Sequence, residues 1–201
     1  MIPLFLTIIP LLTLPTTALP PPKAATPTPP EQWSIPLLNM HMMTRYTGLP
    51  GNQPWPDSAK FPSTIDFDIN MPHYQNAHCH TTWANGTLPD DLAACNGEGG
   101  RVRFRMKEYK ALGTRRLELS FILQVFRVDR LFEQQTILMG EVAITANNAS
   151  EPSSYLTCLS GAPFDGLRCS VGGLMSVQKE LLLQASAGDA DTDTDTSAQR
   201  L

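Results

Sequence analysis

Within the stretch Asn76 to Trp83, NAHCHTTW, His78 and His80 flank Cys79, and a thiolate with two imidazoles is part of a ligand set for zinc or copper. Closing such a set tetrahedrally requires more donors. The chain has no Cys-x-x-Cys or His-x-x-x-His pair, and its other histidines, His41 and His73, stand singly. On an extended chain His78 and His80 share one side while Cys79 points to the other. The competing chemistry for Cys79 is a disulfide. Cys79, Cys95, Cys158 and Cys169 make an even count, which suits an oxidising compartment. Spacing favours the local pairing, Cys79 with Cys95 and Cys158 with Cys169, each closing a loop for which a bridge contributes about 3 kcal/mol in the chain-entropy model. A metal is therefore not expected, and neither is a cofactor.

Other stretches imitate known chemistry and fall short of it. Asp66 and Asp68 lie on one face of a strand, about 7 Å apart along it, an arrangement that invites comparison with a glycosidase carboxylate pair. One of such a pair needs an apolar pocket that raises its pKa, whereas alternation places both on the polar face. A cross-strand partner in the arginine-rich strand is the expected explanation. Gly97 to Val102, GEGGRV, lacks the last glycine of a phosphate loop and opens a strand instead of a helix, so it reads as a hairpin connection. Arg168 to Gly172, RCSVG, resembles a nucleophile elbow around Ser170, but Arg168 occupies a glycine position and no histidine follows His80 in the chain. The protein is accordingly read as non-enzymatic, with a secreted hydrolase as a minor alternative.

Binding is the chemistry left. Arg101, Arg103, Arg105 and Lys107, followed by Lys110, Arg115 and Arg116, form the strongest local charge feature. They suit an anionic partner, or else simply shield a sheet edge or outer face. Trp55, between Pro54 and Pro56, is expected on an exposed loop as a further contact, while Trp83 is expected beside the first disulfide.

These residues must be held by the rest of a chain of 201 residues with 42% hydrophobic side chains, enough for one core. Net charge is −4, of which the last 17 residues contribute −3, and a near-neutral body does not suit general nucleic-acid binding. Residues 1–18 read as a signal peptide, an apolar run from Ile2 to Leu14 ending in the small residues Thr16 and Ala18. Pro3, Pro10 and Pro15 break it as a membrane span, so no membrane attachment is expected once it is removed. Residues 19–32 form a proline-rich leader, 33–184 the domain and 185–201 an acidic tail. The sequons at Asn85 and Asn148 fit glycosylation in an exported protein.

Within the domain, alternation dominates. STIDFDI directs Ile65, Phe67 and Ile69 one way and Asp66 and Asp68 the other, and RVRFRMK opposes Val102, Phe104 and Met106 to its cations. LELSFILQVFRV has one apolar face from Leu117 to Val125, with Ile122 and Phe126 on the other, as a central strand would. ILMGEVAITA is another strand, with Gly140 a bulge or a point of close packing. Further strands are expected at Trp33–Arg45, Tyr155–Leu159, Leu167–Val171 and Ser176–Leu183, the last also readable as a short helix. Together they indicate an all-β fold, an antiparallel β-barrel or sandwich stabilised by two disulfides.

The order of Trp33-Ser34-Ile35, FPSTIDFDI, Cys79 and Cys95 with Trp83 between them, RVRFRM, and Cys158 with Cys169 resembles the Alternaria major allergen family of small secreted fungal proteins. The resemblance covers residues 33–184. It implies a β-barrel with the same local disulfides, extracellular and non-enzymatic, acting at the fungus–host interface as an allergen or effector, and the first reading is accordingly a protein that binds a host extracellular protein. The chain lacks the additional early cysteine through which some members form linked dimers, so any homodimer would be non-covalent. The proline-rich leader and acidic tail also depart from the family pattern. A barrel carrying a small apolar ligand in its interior is the second reading.

Overall fold

Alternating apolar and polar residues resolve into strands wherever one face can be buried, and among the described residues they build ten. A computed structural model describes residues 29–89, 91–97, 101–110, 116–131 and 134–187. The expected signal segment, most of the leader and the tail from residue 188 lie outside the described residues, as does Arg115. The strands are β1 (Glu31–Met42), β2 (Ser63–Met71), β3 (Gln75–Trp83), β4 (Ala93–Ala94), β5 (Val102–Glu108), β6 (Ser120–Leu131), β7 (Gln134–Ala146), β8 (Ser154–Ser160), β9 (Leu167–Val171) and β10 (Leu181–Ala187).

They form one barrel-like sheet in the order β3-β2-β1-β9-β8-β7-β6-β5-β4, with β10 inserted between β1 and β7. Every pairing is antiparallel except β7 with β8, which run parallel over a short overlap at Thr145 and Ala146. The ends of the path are tied together. His78 of β3 and Asn96, just past β4, exchange both backbone hydrogen bonds, at 3.0 and 2.7 Å, and Cys79 is bonded to Cys95 beside them. Among the described residues the seam is thus one bridge and one disulfide instead of a full ladder.

β1 shows why simple alternation misleads over a long strand. Its inward residues are Trp33 and Ile35, then Leu38, Met40 and Met42, a change from odd to even positions. The change falls at Pro36, which has no N–H to give, and the register against β2 shifts between Ser34 and Leu37. At the same place β1 exchanges one neighbour for another, pairing β10 from Glu31 to Ile35 and β9 from Asn39 to Met42.

Inward residues from all around the sheet make a single core that includes Trp33, Phe67, Phe104, Phe121, Leu123 and Ile144. Phe67 and Phe104 meet edge to face across it, centroids 4.9 Å apart. Gly140 occupies a regular ladder position, where a Cβ would stand 3.1 Å from that of Leu183, so close packing accounts for it and no bulge occurs there. At one end Arg127 takes an inward position on β6 and is buried. It pairs with Glu31 through two hydrogen bonds of 2.8 and 2.9 Å, reaches Asp129 at 2.6 Å, and lies over the Trp33 ring. Burial alone would raise the pKa of Glu31, but the bonds from Arg127 and Trp33 outweigh it and hold the carboxyl below its ordinary value. This pin engages the first residue of β1, two positions before the expected domain boundary, and β10 runs on to Ala187, beyond the expected end, through its ladder with β7.

Two expected elements are corrected. Leu117–Leu119 forms a 3-10 turn ahead of β6, because Glu118 is drawn inward as a ligand for Arg116. Ser176 to Glu180 is an irregular, bent connection in which Ser176 bonds Thr157, and only from Leu181 does the strand begin.

Candidate functional site

Both disulfides join the cysteines that spacing suggested, and no cysteine is free. Cys79 is buried while His78 and His80 are exposed on the outer face of β3, so the histidines are presented by a covalently fixed strand. Their partners correct the expectation for the carboxylates. Asp66 stands opposite His80 and Asp68 opposite His78, because β3 is the neighbour of β2, whereas the arginine-bearing β5 lies near the far end of the sheet path. His78 Nδ1 is 2.9 Å from Asp68 Oδ1, and Asp66 Oδ2 lies 3.3 Å from His78 Nε2 and 3.4 Å from His80 Nδ1. The bond to Asp68 raises the pKa of His78 against a small opposing desolvation, and the charges of Asp66 and Asp68 add to it. Among the described residues no group of three or more His, Cys, Asp or Glu is disposed to hold a metal ion.

Asp66 and His80, one rung of this carboxylate–imidazole ladder, stand at one side of a groove of about 630 Å3 on the outer face of β3, β2, β1, β9 and β8. Register brings Thr157, Ser170, Asn39, Asp66 and His80 into one row across five strands. The next row contains Leu159, Arg168, His41 and Thr64. His41 is fixed by stacking on Phe61, centroids 4.4 Å apart, and by donating from Nε2 to the Asp165 carbonyl. Arg168 donates to Asp165 at 2.8 and 2.6 Å, and that bond holds the Asp165 carboxyl below its ordinary value. Sequence spacing singled out Asp66, His80 and Ser170, but Asn39, His41, Thr64 and Arg168 gave no signal because only strand register brings them together. Ser170 lines the groove but has no hydrogen-bonded histidine among the described residues, as a nucleophile would need.

The basic strand forms a second surface. Arg103, Arg105 and Lys107 project from the outer side of β5, with Arg101 exposed at its start. Opposite them on β6 are Phe126, Gln124 and Ile122, and behind these on β7 Met139, Glu141 and Ala143. Arg105 is built into the face, donating to Gln124 at 2.7 Å and lying over the Phe126 ring, while Gln124 donates onward to Glu141 at 2.8 Å. Long cationic stems beside Ile122 and Phe126 account for apolar side chains that are half-buried on an outer face.

Trp55 is not the exposed contact expected of a proline-flanked loop. It is 7% exposed, donates from Nε1 to Thr44 O at 2.8 Å, and meets Phe61 and Phe164 edge-on. The indole offers too much apolar area to be left in water when two aromatic rings lie in reach. Trp83 is buried, part of the one core that also contains Cys79 and Cys95, and donates from Nε1 to Thr87 O at 2.9 Å.

Of the sequons, Asn148 is in a turn where its Oδ1 accepts the Ser150 N–H. Asn85 is half-buried and engaged at both ends of its amide, accepting from Met43 N–H at 2.8 Å and donating to Phe61 O. Large side chains fill the interior, and the groove opens outward. None of the helical turns among the described residues is long and apolar enough to cross a membrane. No family model, curated protein or solved structure matches this chain.

Proposed function

We propose that the protein is a secreted, non-enzymatic binding protein that acts outside the cell by recognising an acidic surface on a host extracellular protein. The observation that carries this reading is the outer face of β5 and β6, where Arg103, Arg105 and Lys107 stand in register with Phe126, Gln124 and Ile122. Cations beside half-buried apolar groups supply both steering and desolvated contact. The apolar amino-terminal segment, the paired cysteines and the order of motifs that resembles the Alternaria allergen family support export and an allergen or effector role.

Arg105 is used by the fold, so the test reverses its neighbours. In a pull-down from host extracellular fluid, Arg101→Glu with Arg103→Glu abolishes capture of the partner seen with the unaltered protein, with no change in thermal unfolding. Capture that is unchanged by the double variant rejects this face.

A further inference from the structure

We propose that the groove across β3, β2, β1, β9 and β8 is a binding site for a neutral oligosaccharide. Its row of Ser170, Asn39, Asp66 and His80 crosses four adjacent strands and therefore spans on the order of 14 Å, enough for a short chain of sugar rings. The side chains of Asn39, Thr64 and Ser170 have no partner among the described residues, so they are free to bond a ligand without breaking anything inside the protein. An amide, a carboxylate, an imidazole and hydroxyls at strand spacing offer donors and acceptors side by side. Sugar hydroxyls, each both donor and acceptor, are matched to such an array.

The other ligand classes fit less well. Phosphates and acidic polymers would need uncompensated cations, yet Arg168 is held by Asp165 and the Asp66 carboxylate stands in the middle of the row. A peptide adding as a strand needs a free sheet edge, and β1, β2 and β9 are each paired on both sides. An apolar ligand would leave the polar lining unpaired. Leu159, 60% exposed at one end of the groove, supplies an apolar surface for the C–H face of a sugar ring.

This site is separate from the basic face, so either can fail alone. The test is isothermal titration of the disulfide-bonded full chain with cellotetraose, chitotetraose and mannotetraose, and with trigalacturonate as the acidic comparison. We expect saturable binding of at least one neutral probe, stronger than that of trigalacturonate. Asn39→Ala with Ser170→Ala weakens it at least about tenfold, as losing two direct hydrogen bonds would, with unfolding unchanged because neither side chain has an internal partner. Thr64→Tyr, which fills the groove, abolishes it, and Arg101→Glu with Arg103→Glu leaves it intact. Absence of binding by all three neutral probes, tighter binding of trigalacturonate, or full affinity in both groove variants would overturn the proposal.

Discussion

Glu118 is carried fully into the interior, and the donors around it show what such a charge requires. It accepts from Arg116 Nε at 3.0 Å and Nη2 at 2.6 Å and from the Gly86 N–H at 2.9 Å, and the Ser63 hydroxyl lies within reach of it and of Asn85. Arg116 in turn donates to Met43 O at 2.7 Å, so one carboxylate joins segments far apart in the chain. Removing the carboxylate takes the acceptor from the Gly86 N–H and one from the buried Ser63 hydroxyl, while Arg116, partly exposed, can turn to water. Glu118→Ala is expected to destabilise the fold by about 1–3 kcal/mol, measured by urea unfolding. His78 makes the opposite case, a charge on the surface. Its pKa lies above 6.5 in the folded protein, so the stabilisation it contributes is fully present below pH 6.5 and is lost as the pH rises through the folded-state value. Solvent screens the pair and keeps the effect small. The imidazole resonances of His78 should titrate above 6.5, and in Asp68→Asn the midpoint should fall, whereas an unchanged midpoint would remove Asp68 as the cause.

Among the elements, β3 is supported unevenly. It has a full ladder with β2 on one side and, among the described residues, only the His78–Asn96 bridge and the Cys79–Cys95 bond on the other. The disulfide therefore closes the sheet at its weakest join as well as shortening a loop of the unfolded chain. Cys79→Ser with Cys95→Ser should cost about 3 kcal/mol by the chain-entropy model. It should also speed hydrogen exchange at the His78 and Asn96 amides before that of β6 and β7, which share a twelve-position ladder. Uniform acceleration across all strands would instead place the effect in the unfolded state alone. The second bond, Cys158–Cys169, links strands already paired, and its loss should leave the pattern of exchange unaltered outside β8 and β9.

At the scale of the whole molecule, two unlike surfaces stand on different parts of one wall. The β5–β6 face has cations beside apolar groups, and the β2–β1–β9 groove has balanced charge with hydroxyl and amide groups that have no partner among the described residues. Binding at the first should weaken steeply with salt, since exposed charges separated by more than the Debye length of about 8 Å at physiological ionic strength are screened. Binding at the groove should change little. Affinities measured between 50 mM and 500 mM sodium chloride, roughly the range over which screening tightens, separate the two, and a partner whose capture ignores salt would not be held by the cationic strand.

Local patterns in the sequence determine the all-β class, the inward faces of β2, β5 and β7, and the local pairing of the cysteines, because period-two alternation and short loop lengths act between near neighbours. They also place His78 and His80 opposite to Cys79. Tertiary structure decides the rest. Pro36 shifts the parity of β1 only because two different strands, β10 and β9, compete for its flank. Trp55 is buried because Phe61 and Phe164 reach it, which no spacing of prolines discloses. Asp66 and Asp68 look like a pair waiting for arginine until strand order places histidines beside them. The groove exists in no single segment: its row takes one residue from each of five strands, and only register, a relation between distant parts of the chain, could assemble it.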